Sequence, residues 1–201
     1  LDLGADLVRQ NVDYPLNVRL KHSNATGNKI MIDGNAATGL GAVYGGATVL
    51  AWYPITPSTS VAKSFETYAK KFRKDPVTGK NNYAIIQAED ELAAFGMAMG
   101  ANWNGARGFT ATSGAGISLM NEFIGLAYFA EVPMVLVDVQ RGGPSTGMPT
   151  RTQQSDILPC AYASHGDTKH IMLMPANPTE CFEFTAMAFD LADQLQTVIF
   201  L

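Results

Sequence analysis

Pro133-Met134-Val135-Leu136-Val137-Asp138-Val139 is an apolar run with no polar alternation until its end. A strand of that kind is covered on both faces, which points to a parallel sheet with helices on each side. Upstream, Tyr83-Ala84-Ile85-Ile86-Gln87 reads as a buried strand, Asp90 to Asn104 as a helix, Gly108-Phe109-Thr110-Ala111-Thr112 as a strand and Ser118 to Phe129 as a helix. Downstream, Lys169 to Met174, Pro178 to Leu195 and Thr197 to Leu201 continue as strand, helix and strand. The alternation predicts an α/β fold with a doubly wound, mostly parallel sheet, helices on both faces and right-handed crossovers. Functional loops then lie at the strand C-terminal ends, at Gln87 to Glu91, Thr112 to Gly116 and Gln140 to Thr152.

The earlier part of the chain is less rhythmic. Residues 1–28 read as a linker or edge segment, because Asn11, Pro15, Asn17, Asn24, Gly27 and Asn28 break any period, and residues 29–201 read as one domain. Lys29 to Asp33 is a short strand candidate, followed by a Gly/Ala-rich helix candidate over Ala36 to Ala51. No charge occurs from Gly34 to Ala62, yet its glycines, hydroxyl residues and Pro54 and Pro57 make it too polar and broken for a membrane span. The two prolines make Trp52 to Ser60 a rigid loop, after which Thr56 or Ser58 can cap a helix through Val61 to Ala69. A hydrophilic connection from Lys70 to Asn82 turns at Asp75-Pro76. Leu1 in place of Met, and a last strand with no room for its surroundings, read as the two ends of a piece cut from a longer subunit.

Composition excludes several classes. A formal charge of -4 offers no basic field for nucleic acid or an anionic membrane. Cys160 and Cys181 have no CxxC companion, so these two thiols alone assemble neither a zinc site nor an iron-sulfur cluster, and they suit a reducing, cytoplasmic compartment. His22, His165 and His170 lack ligand spacing, and no metal is assigned to this chain.

Four stretches carry candidate chemistry. Glu89-Asp90-Glu91 opens a helix, where an acid ordinarily serves only the helix dipole and its orphan amides. Thr112-Ser113-Gly114 offers hydroxyls and amides at a strand-helix turn, which suit a polar ligand or a plain cap. Arg141, ending the most apolar strand, could receive a carboxylate or phosphate, a contact worth roughly 1.5–3 kcal/mol, or could pair with Asp138 or Glu131. Gly143-Pro144-Ser145-Thr146-Gly147 satisfies GxSxG formally, with His165, His170 and Asp167 downstream, so a serine hydrolase is one alternative. A nucleophile elbow, however, is a tight strand-turn-helix corner, and Ser145 comes well after its strand.

Taken in order, Tyr53-Pro54-Ile55-Thr56-Pro57, Glu89-Asp90-Glu91, Thr112-Ser113-Gly114, Asp138-Val139-Gln140-Arg141 and Gly143 to Thr150 closely resemble the α subunit of 2-oxoacid:ferredoxin oxidoreductases. The resemblance covers about residues 29–201 and is nearest to the KorA-like, 2-oxoglutarate branch. It implies the pyrimidine-binding domain of a thiamine diphosphate enzyme, with a second reading as a non-catalytic assembly domain of such a complex. Glu91 opens a segment resembling E-x-x-A-A-x-x-A-x-G, in which the glutamate hydrogen-bonds N1′ of the cofactor. A shared proton there favours the imino form that deprotonates the thiazolium C2, and needs an apolar, closed site that raises the carboxyl pKa.

By the same resemblance, Thr56 would hydrogen-bond the 2-oxoacid and Arg141 would face its carboxylate. Thr112, Ser113 and Gly114 would line the cofactor side, and Ser145, Thr146 and Thr150 would select the far end of the substrate. The diphosphate motif GDG is not matched, since Gly166-Asp167-Thr168 lacks the second glycine. Thiamine diphosphate is therefore expected to be shared in a hetero-oligomer with a β subunit that brings Mg²⁺ and an iron-sulfur cluster. Coenzyme A and ferredoxin complete the expected reaction, and this chain by itself is expected to be inactive.

Overall fold

The computed structural model describes residues 1–13, 18 and 20–201. They fall into two units, Leu1–Met31 and Ile32–Leu201. The first contains a helix, α1 (Asp2–Asn11), where the sequence reading expects only a linker or edge segment. Leu3 and Leu7 stand four residues apart and Arg9 pairs with Asp6 at 3.0 Å, local contacts that sustain a helix without a core. Pro15 and Asn17, read as breakers, lie outside the described residues.

The second unit holds six strands in which every pairing is parallel. In chain order they are β1 (Val49–Trp52), β2 (Ala84–Gln87), β3 (Gly108–Thr112), β4 (Met134–Asp138), β5 (Ile171–Met172) and β6 (Val198–Phe200). Their spatial order is β2-β1-β3-β4-β6-β5. The helices are α2 (Gly34–Tyr44), α3 (Thr59–Phe72), α4 (Glu91–Trp103), α5 (Gly114–Phe129), α6 (Ile157–Ala161) and α7 (Pro178–Leu195).

Side-chain alternation along the strands splits the core in two. Leu50, Phe109, Val135 and Ile199 join Val61 and Phe65 of α3, Ala42 of α2 and Phe189 of α7 on one face. Ala51, Leu136 and Phe200 join Phe95 of α4, Ile117 and Met120 of α5 and Cys160 of α6 on the other. Crossovers that step toward β2 or back to β6 use the α3/α7 face, and those stepping the other way use the α4/α5/α6 face. All five connections therefore share one hand, as the twist of parallel strands requires.

Three readings of the early chain are corrected. Residues 29–33 form no strand, because Asp33 instead caps α2, its Oδ1 accepting the Ala36 N–H at 2.8 Å. The helix candidate over 36–51 stops at Tyr44, and Gly46, with φ of 84°, turns the chain into β1, an interior strand of the sheet. In a strand covered on both faces nothing polar alternates, so β1 was indistinguishable from the small-residue helix before it. The run from Tyr83 to Gln87 does contain β2, from Ala84, but as an exposed edge strand paired only with β1.

The glycines of α2 serve packing between α3 and α7. A Cβ at Gly39 would stand 2.8 Å from Ser64 Cβ, and one at Gly41 would stand 2.9 Å from Thr185 Cβ. Gly41→Ala should therefore destabilise the chain by about 1–2 kcal/mol in urea unfolding, the ~1 kcal/mol helix-propensity gain being outweighed by forced separation of α2 from α7.

Candidate functional site

Strand order reverses between β1 and β3, whose chains leave in opposite directions through α3 and α5. Their ladder is short: Val49 aligns with Gly108 and Leu50 with Phe109, while β3 and β4 stay paired as far as Thr112 and Asp138. The carboxyl ends of β1 and β3 thus open a crevice at the switch point, where open α/β sheets take ligands. Thr56 lies on the β1 side, Thr112, Ser113 and Gly114 on the β3 side, and Arg141 follows β4.

Arg141 is 7% exposed and reaches across, its Nη1 donating to the Thr56 carbonyl at 2.8 Å. Its Nε is buried with no hydrogen-bond partner, and it makes no ion pair with Asp138, Glu131 or any other described residue. The sequence left an ion pair and a ligand equally open; the guanidinium is instead clamped at one corner with donor capacity to spare. A cavity of about 640 Å³ lies beside it, lined also by Gly114, Pro144, Ser145, Thr146 and Asp156. Thr150 is exposed and lines no part of this cavity.

Glu91 is the first residue of α4 and is 5% exposed, whereas Glu89 and Asp90 are exposed. Capping falls to Asp90, whose Oδ1 accepts the Ala93 N–H at 2.6 Å. The Glu91 carboxyl is thus free of that duty and accepts no hydrogen bond from the described residues. Its neighbour is the first turn of α5: a Cβ on Gly116 would stand 2.9 Å from Glu91 Cγ and would also strike the Thr112 hydroxyl. Thr112 and Ser113 are fully buried, with Ser113 Oγ donating to Val139 O at 3.1 Å. They brace the β3–α5 turn, and α5 begins at Gly114, four residues earlier than expected.

The loop after β4 folds on itself, with Gly142 N–H donating to Arg151 O at 2.7 Å and Met148 N–H to Gly142 O at 2.8 Å. Ser145 is exposed on this loop with φ of 60°, away from any strand-to-helix corner. Among the described residues no histidine hydrogen-bonds Ser145; His165 faces Glu122 and His170 faces Ala163 O. The geometry therefore gives the GxSxG reading no triad. Gly166 and Asp167 lie in bends before β5, and no cluster of three or more metal-ligating side chains occurs among the described residues. Nor is any described helix long and apolar enough to cross a membrane.

Two features were missed in the sequence. Helix α6 was hidden by Pro159 within it, and Asp156, directly before it, was assigned no role. The Ser155-Asp156 pair ahead of Ile157 was the available signal, since such residues precede helices. A second cavity, of about 520 Å³, lies at the ends of β4, β5 and β6, lined by Asp138, Gln140, Cys160 and Cys181, and contains none of Thr56, Glu91 or Arg141.

A family model described as "Pyruvate flavodoxin/ferredoxin oxidoreductase, thiamine diP-bdg" matches residues 40–201. Over 168 residues the chain is 44% identical to the 2-oxoglutarate synthase subunit KorA of Methanothermobacter marburgensis, covering 84% of this chain and 42% of that one. Over 183 residues it is 43% identical to 2-oxoacid:ferredoxin oxidoreductase 1, subunit alpha, of Sulfurisphaera tokodaii, covering 90% and 29%. Among solved structures, the 2-oxoglutarate:ferredoxin oxidoreductase from Magnetococcus marinus with 2-oxoglutarate, coenzyme A and succinyl-CoA bound superposes with a TM-score of 0.83 at 36% identity, over 99% of this chain and 33% of that one. The chain thus spans less than half the length of these relatives.

Electrostatics single out Asp138. Burial, with the nearby Asp156 charge, pushes its carboxyl up to about 7, opposed by a contact from the Cys160 thiol at 3.6 Å. Burial and Asp138 in turn push the Cys160 thiol up, so it is not a reactive thiolate. Because the folded Asp138 holds its proton more tightly than the unfolded one, its contribution to stability is full below about pH 4 and is lost as pH rises through about 7. Urea midpoints of wild type and Asp138→Asn should therefore diverge across that window, with the variant gaining relative stability as pH rises.

Proposed function

Since this chain belongs to the pyruvate flavodoxin/ferredoxin oxidoreductase thiamine-diphosphate-binding family, we propose that it supplies half of an interfacial site at which a 2-oxoacid, 2-oxoglutarate foremost, is oxidatively decarboxylated to its acyl-CoA. The two electrons leave to ferredoxin. The single observation that carries this reading is Glu91, a carboxyl buried at a helix start that neither caps the helix nor meets a hydrogen-bond donor among the described residues. A carboxyl so placed, with no donor from its own chain, is available to share a proton with a cofactor ring nitrogen.

Thiamine diphosphate, when bound, supplies the nucleophilic carbon and electron sink that decarboxylation of a 2-oxoacid requires. Glu91 would hold the proton at the aminopyrimidine N1′, and Thr112, Ser113 and Gly114 form the turn on the cofactor side. The free donors of Arg141 suit the substrate carboxylate, and Thr56, tied to Arg141 through its carbonyl, would present its hydroxyl to the 2-oxo group. Ser145 and Thr146 border the same cavity and would read the far end of the substrate. Thr150 lies on the same loop, outside this cavity.

The remaining parts are assigned to a β subunit in a hetero-oligomer: diphosphate, Mg²⁺ and the iron-sulfur cluster that passes electrons to ferredoxin. The relatives named as α subunits support that division, as do two cysteines that sit singly, one buried and one half-buried, with raised thiol pKa values. A reducing cytoplasm suits such thiols.

In the complete complex, Glu91→Gln should slow deuterium exchange at the cofactor C2 by about 10²-fold or more while assembly is retained, general acid-base assistance being worth that much. Near-normal exchange would sink the assignment and leave a non-catalytic assembly domain. Arg141→Ala should lower kcat/KM for the 2-oxoacid by about 10- to 100-fold, chiefly through KM, as loss of a charged hydrogen bond predicts. Unchanged steady-state kinetics would make Arg141 structural.

A further inference from the structure

Asp156 stands where α6 would be capped, yet its side chain caps nothing. It is 8% exposed and turns toward the site instead, with Oδ2 receiving the Arg141 backbone N–H at 3.4 Å. Ser155 Oγ stands 3.0 Å from Arg141 O and 3.2 Å from Asp156 Oδ1, its single proton serving one acceptor at a time. The carboxylate also lies against Gly114, the first residue of α5, where a Cβ would come within 2.7 Å of Oδ2. Gly114 is therefore required by close approach, and the carboxylate sits where the α5 dipole favours negative charge.

These contacts form a chain across the site. Asp156 holds the Arg141 backbone against the β3–α5 turn, and the Arg141 guanidinium holds the β1 loop through Thr56 O. Nothing else among the described side chains grips Arg141 at both ends: the guanidinium has one partner, and the backbone is fixed by Asp156 and Ser155. A shift of the backbone here would displace the free guanidinium donors, and an error of about 1 Å in a positioning group can cost up to ~10²-fold in rate.

We propose that Asp156 is a positioning residue for substrate binding: its carboxylate fixes the Arg141 main chain and so aims the guanidinium into the cavity shared with Ser145 and Thr146. This rests on the reading of Arg141 as the group that meets the 2-oxoacid carboxylate. Asp156 touches neither substrate nor cofactor in this account. Its effect is exerted wholly through Arg141, so the two residues must couple.

The test is a double-mutant cycle in the assembled complex, with thermal midpoints recorded for each variant. Asp156→Ala, which removes the acceptor for the Arg141 N–H, should raise the 2-oxoacid KM about tenfold with kcat changed less than about threefold. In the Arg141→Ala background the same change should add less than about twofold, since the interaction it supports is already gone. Should the Ala variant not assemble, Ser155→Ala carries the same test, with a KM rise of about threefold that vanishes in the Arg141→Ala background. A wild-type KM for Asp156→Ala, a loss confined to kcat, or equal losses in both backgrounds would overturn the proposal. If Arg141→Ala itself leaves KM unchanged, the reading of Arg141 fails first and the proposal with it; if only Arg141→Ala moves KM, the proposal alone fails.

Discussion

A parallel sheet covered on both faces confines chemistry to its carboxyl edge, and in this molecule two side-chain contacts tie the β1 loop across that edge. The shorter is the Arg141 guanidinium on the Thr56 carbonyl, the other being Ser58 Oγ on the Ala111 carbonyl at 3.5 Å. β1 and β3 lose their ladder beyond Leu50 and Phe109, so their following loops are free to diverge. The 2.8 Å hydrogen bond from Arg141 spans the gap they leave. It ties the β1 loop to the β4 loop, and through Asp156 the tie extends to the first turn of α5. Residues far apart in sequence are thereby tied together at the carboxyl edge.

Three charged groups are buried there without an ion-pair partner among the described residues, Glu91 on one side of the β3–α5 turn and Arg141 with Asp156 on the other. Burial of such groups costs stability unless something outside the chain completes them. Glycine makes the two carboxyl burials possible: Gly116 clears space for Glu91, and Gly114 clears space for Asp156. The turn from Thr112 to Gly116 is thus the hinge of the arrangement, held by Thr112 and Ser113 inside the fold. The second cavity, with Asp138 raised toward neutrality, lies farther along the same carboxyl edge, at β4, β5 and β6, and shares the β4 loop and α6 with this site.

Where strong hydrophobic strands alternated with helices, the reading of the chain was close: β3 and α7 match it in both bounds, and the α/β class followed from them. It failed where local pattern carries no directional information. β1 was absorbed into a glycine-rich helix candidate because both its faces are apolar, and β2 was read as buried although it is an edge. Ordered motifs brought Thr56, Glu91, Thr112 and Arg141 forward as a group, on resemblance rather than periodicity. Asp156 escaped because its local setting is that of a helix cap, and only the folded chain shows its carboxylate turned away from that helix.

The sequence by itself determined the layered architecture, since hydrophobic periodicity and turn residues act locally and leave few ways to bury apolar strands. It also determined which loops could carry chemistry, because parallel strands send their C-terminal connections to one edge. Tertiary structure alone decided that Asp90 caps α4 and leaves Glu91 spare, that Arg141 grips Thr56 and ignores Asp138 and Glu131, and that Asp156 leaves its own helix for the arginine backbone. Each is a choice between nearby partners of similar chemistry, and such choices are made by distance and burial, which exist only once the chain has folded.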